Sequence, residues 1–133
     1  MGHNFVLQID DDHFITENQK MITRKKDLSS YFMAVHDAFK ALKLLENMEI
    51  SGETFPRYII LDLRMPGMHG IEFLEAFDNR FPIKKYETEV IIASSHISPE
   101  ELERINFYSF VSDYIIKPIP ENFIENLING KNG

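Results

Sequence analysis

Tyr58-Ile59-Ile60-Leu61-Asp62 is a short apolar run that ends on a carboxylate, and the reading of this stretch decides the fold. Four apolar residues in succession, without alternation, suit a strand buried on both faces, as in the middle of a parallel sheet. Four similar runs flank it, at residues 5–9, 31–35, 90–93 and 114–116. The five runs begin at residues 5, 31, 58, 90 and 114, a spacing of 24 to 32 residues. That is about the size of a βαβ unit. Gln8 breaks the first run, and a glutamine buried there needs partners for its amide.

Helical patterns fill the intervals. Phe14, Ile15, Asn18, Met21 and Ile22 follow a three-to-four spacing after the first run. After the second, Asp37 is a good N-cap and Ala38, Ala41, Leu42, Leu45 and Met48 form one apolar stripe. Ile71, Leu74 and Phe77 repeat the pattern after the third. Ser98-Pro99-Glu100-Glu101 reads as a helix start in which Ser98 caps and Glu101 reaches back to complete a capping box. A last helix is expected to open at Pro120 and run through Phe123, Ile124, Leu127 and Ile128, with Gly130 ending it. Residues 81–88 are the expected long loop. Strand and helix thus alternate five times, and right-handed crossovers place helices on both faces of a parallel sheet.

Composition limits the functions on offer. At 133 residues the chain has the length of one domain, assigned here to residues 1–133. With 21 Asp and Glu against 14 Lys and Arg, the net charge of −7 argues against direct nucleic-acid or anionic-lipid binding. The absence of cysteine excludes disulfide scaffolds, thiolate metal sites and thiol nucleophiles. No apolar run approaches the roughly 20 residues that span a bilayer. The N-terminus has no basic start, and Asp10, Asp11 and Asp12 interrupt any apolar leader, so a cytoplasmic location is expected.

Ligands of open α/β sheets bind beyond the carboxyl ends of the strands. The first run ends in Asp10, Asp11 and Asp12, the third in Asp62, the fourth in Ser94 and Ser95, and the fifth in Lys117-Pro118. Carboxylates gathered at one edge repel, so either one holds a proton or a cation sits among them. Oxygen donors without His or Cys suit a hard ion, Mg²⁺ above all. Asp10, Asp11 and Asp62 with Lys117 sum to −2, which one divalent ion neutralises. A carboxylate beside a metal and a lysine is also a plausible nucleophile toward phosphorus. Asp12 reads better as a helix cap than as a ligand. His3, His13, His36, His69 and His96 have no metal spacing and are expected at the surface, and Arg24-Lys25-Lys26 suits the C-terminal end of the first helix.

These residues resemble the response-regulator receiver domain, the phosphoacceptor module of two-component signalling and phosphorelays, over nearly the whole chain. Phe5-Val6-Leu7-Gln8-Ile9-Asp10-Asp11-Asp12 resembles the family's first strand with its acidic pair. Ile59-Ile60-Leu61-Asp62-Leu63-Arg64-Met65-Pro66-Gly67-Met68-His69-Gly70 resembles the phosphorylation-site motif and is the most specific signal. Val90-Ile91-Ile92-Ala93-Ser94-Ser95 and Asp113-Tyr114-Ile115-Ile116-Lys117-Pro118 are similar to the fourth and fifth strands. The resemblance implies a flavodoxin-like, doubly wound (βα)5 fold with strand order 2-1-3-4-5.

It implies roles as well. Asp62 is the phosphoacceptor. Asp11 coordinates Mg²⁺ directly, Asp10 largely through water, and the backbone carbonyl of Arg64 adds a ligand. Ser94 and Lys117 bind the phosphoryl group, Pro118 follows a cis peptide bond, and Tyr114 turns inward when Ser94 moves. Arg64 and His96 flank the phosphoryl group and tune its lifetime. The donor would be a histidine kinase or phosphotransfer protein. The surface of the fourth helix, fifth strand and fifth helix would change toward an unidentified target. The domain would catalyse its own phosphorylation and dephosphorylation and act as a switch rather than a metabolic enzyme.

Ser94 stands where the family more often has Thr, which keeps the hydroxyl and drops the methyl. Three other readings are weaker. A Mg²⁺-dependent aspartyl-phosphate phosphatase would need a second acid two residues after the nucleophile, where Arg64 stands. An FMN carrier would need a phosphate cradle where Asp10, Asp11 and Asp12 repel one. A receiver-like module that binds without phosphorylation would not need the full set of Asp10, Asp11, Asp62, Ser94 and Lys117.

Overall fold

The alternation of side chains along the strands divides the interior into two apolar layers, one on each face of a single sheet. The structure is a computed structural model and describes residues 2–131. The strands are β1 (Val6–Ile9), β2 (Phe32–Val35), β3 (Tyr58–Leu61), β4 (Glu89–Ser94) and β5 (Val111–Ile116). All neighbours are parallel and the spatial order is β2-β1-β3-β4-β5. The helices are α1 (His13–Lys25), α2 (Ala38–Ser51), α3 (Gly70–Arg80), α4 (Pro99–Asn106) and α5 (Phe123–Ile128).

Leu7, Ile9, Ile59, Leu61, Val90 and Ile92 face one layer, which α2, α3 and Ile105 of α4 cover. Val6, Tyr58, Ile60, Ile91 and Ala93 face the other, which Ile124, Leu127 and Ile128 of α5 cover. β1 and β3 are buried at every position, which is why their sequences run apolar without a break. Gln8 is the exception: it is fully buried, and its amide has no partner among the described residues.

Helix starts follow the expected caps. Asp12 accepts from the Phe14 and Ile15 amides, Asp37 from that of Lys40, and Ser98 forms the full capping box with Glu101. Four expectations change. Phe14 is 83% exposed and Met21 is 43% exposed, so the face α1 buries is instead Thr16, Gln19 and Thr23. β5 begins three residues before its apolar run, because an edge strand leaves Ser112, Asp113 and Tyr114 open to solvent. The last helix starts at Phe123 rather than Pro120, after a turn in which the Phe123 amide donates to the Pro120 carbonyl at 3.0 Å. Residues 81–88 include a 3-10 turn at Lys84–Glu87.

The turn from β3 into α3 admits little variation. The Gly70 amide donates to the Leu63 carbonyl at 2.7 Å. A Cβ on Gly70 would sit 2.8 Å from both the Asp62 carbonyl oxygen and Leu63 Cα. These are backbone atoms that have no way to step aside. Gly70→Ala is therefore expected to cost about 1–3 kcal/mol and to displace Asp62. A urea titration of the variant checks it, and an unchanged midpoint would contradict the close approach.

Candidate functional site

Asp10, Asp11, Asp62, Ser94 and Lys117 all lie just at or beyond the carboxyl ends of β1, β3, β4 and β5, and the sheet brings them together. One carboxylate oxygen from each of Asp10, Asp11 and Asp62 lies within 4.8 Å of the others. Lys117 Nζ bonds Asp10 Oδ2 at 2.7 Å and stands 3.6 Å from Asp62 Oδ2. The Asp12 amide donates to Asp10 Oδ1 at 2.9 Å, so both Asp10 oxygens are engaged. Asp10 and Asp62 are buried, whereas Asp11 is partly open to solvent.

The three carboxylates gather negative charge in this corner, with Lys117 the cation against them. Burial raises the Asp62 carboxyl above its ordinary range; Lys117 opposes that rise, and Asp10 and Asp11 add to it. Magnesium binds at about 2.0–2.1 Å in octahedral geometry, so neighbouring ligand oxygens stand about 3 Å apart and opposite ones about 4 Å. One oxygen from each of the three carboxylates lies within 4.8 Å of the others, near those separations. The donor set is all oxygen, as a hard divalent ion requires. The residues present therefore fit Mg²⁺.

Ser94 is buried at the end of β4, and its hydroxyl bonds Arg64 and the His96 carbonyl rather than Asp62. It donates to the His96 carbonyl at 3.1 Å and accepts from Arg64 Nη1 at 3.2 Å. The Arg64 amide leans on Asp62 Oδ1 at 3.5 Å, while its side chain runs toward α4. There Nη1 also donates to the His96 carbonyl, and Nη2 bonds Glu101 Oε1 at 2.7 Å. The His96 side chain is exposed. Tyr114 is half exposed on β5, and the Lys117-Pro118 peptide is cis.

Two residues of this corner carry no role in the sequence reading. His69 is a half-buried N-cap of α3 rather than a plain surface residue: its Nδ1 accepts from the Ile71 amide at 3.1 Å, and its Nε2 lies 3.2 Å from Glu101 Oε2. Glu101 appears in the sequence only as half of a capping box. In the fold it also receives Arg64, 37 positions away. Burial pushes the Glu101 carboxyl up, but the Ser98 amide and the Arg64 guanidinium outweigh it and hold the group at about 2. Neither contact follows from local spacing; only the capping motif points to Glu101 at all.

Comparison with known proteins gives the family and the fold. An uncharacterized response regulatory protein of Staphylococcus epidermidis is 27% identical over 127 residues, 93% of this chain and 45% of that protein. The hydrogenase transcriptional regulatory protein HoxA of Cupriavidus necator is 30% identical over 90% of this chain, which spans 22% of its length. The chain therefore spans less than half of the length of each of these two curated relatives. Among solved structures, a two-component response regulator from Cytophaga hutchinsonii superposes with a TM-score of 0.81 at 27% identity, covering 98% of this chain and 97% of that one. The family model described as the response regulator receiver domain matches residues 6–129. That match begins at the first residue of β1 and ends just past α5, so it takes in every strand and helix: the chain belongs to the response regulator receiver domain family of two-component signalling.

Proposed function

We propose that this receiver takes a phosphoryl group on Asp62 from a histidine kinase or phosphotransfer protein, with Mg²⁺ held by Asp10, Asp11, Asp62 and the Arg64 backbone carbonyl. The observation that carries this reading is the Asp62 carboxylate beside Lys117 and two further aspartates at one sheet edge. Bound Mg²⁺ supplies charge neutralisation for the transferring phosphoryl oxygens. An Asp62 oxygen attacks phosphorus, the donor P–N bond breaks, and the leaving imidazole nitrogen keeps the electron pair. With acetyl phosphate the broken bond is P–O and acetate departs. In self-dephosphorylation, water attacks phosphorus and the Asp62 oxygen leaves as carboxylate.

Lys117 pairs with one phosphoryl oxygen and Ser94 swings from the His96 carbonyl to donate to another. Tyr114 then has room to turn inward, and the face of α4, β5 and α5 changes for a target protein. Tyr114, Ile116 and Phe107 are the exposed apolar residues of that region. Arg64 and His96 tune acyl-phosphate lifetime. The reaction belongs in the cytoplasm, where kinases have ATP; among the described residues no helix is long and apolar enough to cross a membrane.

Intact mass after incubation with acetyl phosphate tests the reading. A Mg²⁺-dependent gain of about 80 Da, one phosphoryl group, lost in Asp62→Asn, is expected. A gain that persists in Asp62→Asn overturns it.

A protein donor also has to cover the entrance to Asp62. A groove of about 350 Å³ beside Lys117 is walled by Phe14, Ile15, Gln19 and Ile119. A phosphohistidine carrier that reaches Asp62 presses its own apolar side chains there, against the exposed Phe14. Phe14→Ala is expected to slow transfer from the protein donor by about 10-fold, on the scale of one interface anchor, and to leave the acetyl phosphate rate unchanged. Equal slowing with both donors would contradict this.

A further inference from the structure

The geometry points to Glu101 as a positioning residue that holds Arg64 across Ser94 in the unphosphorylated domain and thereby ties the start of α4 to the acceptor. The inference rests on the proposed phosphoryl transfer to Asp62 and adds a control element to it. Glu101 accepts hydrogen bonds from two parts of the fold and lies against a third. Arg64 Nη2 reaches Oε1 at 2.7 Å from the loop after β3, and the Ser98 amide reaches the same oxygen at 2.9 Å from the start of α4. His69 Nε2 lies 3.2 Å from Oε2 at the start of α3. His69 Nδ1 accepts from the Ile71 amide, which holds the ring in place beside Glu101. The Glu101 side chain is only 16% exposed, so water competes poorly for these bonds.

Arg64 passes the constraint on to Ser94. The Ser94 hydroxyl donates to the His96 carbonyl and accepts from Arg64, and the same guanidinium nitrogen also holds that carbonyl. Ser94 reaches a phosphoryl oxygen only by leaving the His96 carbonyl, which loosens the Arg64 arrangement. A phosphoryl group on Asp62, two residues from Arg64, offers the guanidinium a second anion. Glu101 and the phosphoryl group thus compete for one arginine, and the off state is held by whatever Glu101 contributes. When Arg64 leaves, Glu101 loses a charged donor, and the α4 start that it caps is released from the β3–α3 loop.

Glu101→Gln isolates the charge. Glutamine still accepts from the Ser98 amide, so the capping box and α4 persist, while the attraction for Arg64 is lost. The probe is beryllium trifluoride with Mg²⁺, a phosphoryl analogue, titrated by calorimetry into wild type, Glu101→Gln, Arg64→Ala and the double variant. Glu101→Gln is expected to bind about 10-fold more tightly than wild type, on the scale of one charge-assisted hydrogen bond. Over Arg64→Ala, the same change is expected to do nothing. A purely structural role for Glu101 would act equally in both backgrounds, and that result would overturn the inference, as would equal or weaker binding by Glu101→Gln alone. Absence of binding to wild type would remove the phosphoacceptor reading itself, and the control element with it.

Discussion

Lys117→Ala is expected to slow phosphoryl uptake from acetyl phosphate by at least about 100-fold, the scale seen when one preorganised electrostatic donor is removed, while Mg²⁺ binds more tightly. The opposite signs follow from a single charge. In the folded domain Lys117 stands 2.7 Å from Asp10 and 3.6 Å from Asp62, with its side chain mostly buried. Removing it takes the cluster from −2 to −3, which favours a divalent ion. It also removes the cation that counters the upward shift of the Asp62 carboxyl and that would meet the incoming phosphoryl oxygen. The variant is expected to be destabilised in EDTA, because buried Asp10 loses its ion pair, and to recover when Mg²⁺ is added. Stopped-flow uptake and a Mg²⁺ titration read the two effects. A normal rate, or weaker Mg²⁺ binding, would contradict the role given to Lys117.

Phe77→Ala carries the largest expected effect on stability, a loss of about 3–5 kcal/mol. Phe77 is fully buried on α3. Its ring centroid lies 5.2 Å from Phe110, 5.3 Å from Phe81, 5.9 Å from Phe73 and 6.4 Å from Phe55. Truncation removes the shared centre of four aromatic contacts, two from α3 and its C-cap and two from distant segments, so no single neighbour closes the cavity. Against a typical domain stability of about 5–15 kcal/mol, that is a substantial fraction. Urea denaturation measures it; a loss below about 1.5 kcal/mol, in the range of a conservative swap, would mean that the layer repacks around the gap.

The sheet was legible because β1 and β3 are buried on both faces, and burial on both faces writes itself as an unbroken apolar run. Asp10, Asp62, Ser94 and Lys117 could be assigned to one edge because each stands at a run's end. Where one side of an element meets water, the signal weakens. β5 is an edge strand with Ser112, Asp113 and Tyr114 exposed, so only its last residues look like a strand. α1 packs through Thr16, Gln19 and Thr23 and leaves Phe14 in solvent, which inverts the apolar pattern. The Arg64–Glu101–His69 cluster was not legible at all. It joins positions 64, 69 and 101 through side-chain reach, and no local periodicity encodes that.

The same distinction separates the cluster of Asp10, Asp11, Asp62 and Lys117 from its surroundings. Its residues follow from where the strands stop, so they could be named before the fold was seen. The residues that hold Arg64 depend on how α3 and α4 are docked, so they emerge only from the packed structure.

Chemical localisation of the phosphoryl group tests the central claim most directly. Wild-type protein is treated with acetyl phosphate and Mg²⁺, reduced with borohydride, which converts an aspartyl phosphate to homoserine, and then digested and mapped by mass spectrometry. The account expects homoserine at position 62 alone, and none when Mg²⁺ is withheld. Homoserine at Asp10 or Asp11, or a phosphoryl group that survives borohydride on another residue, would contradict it.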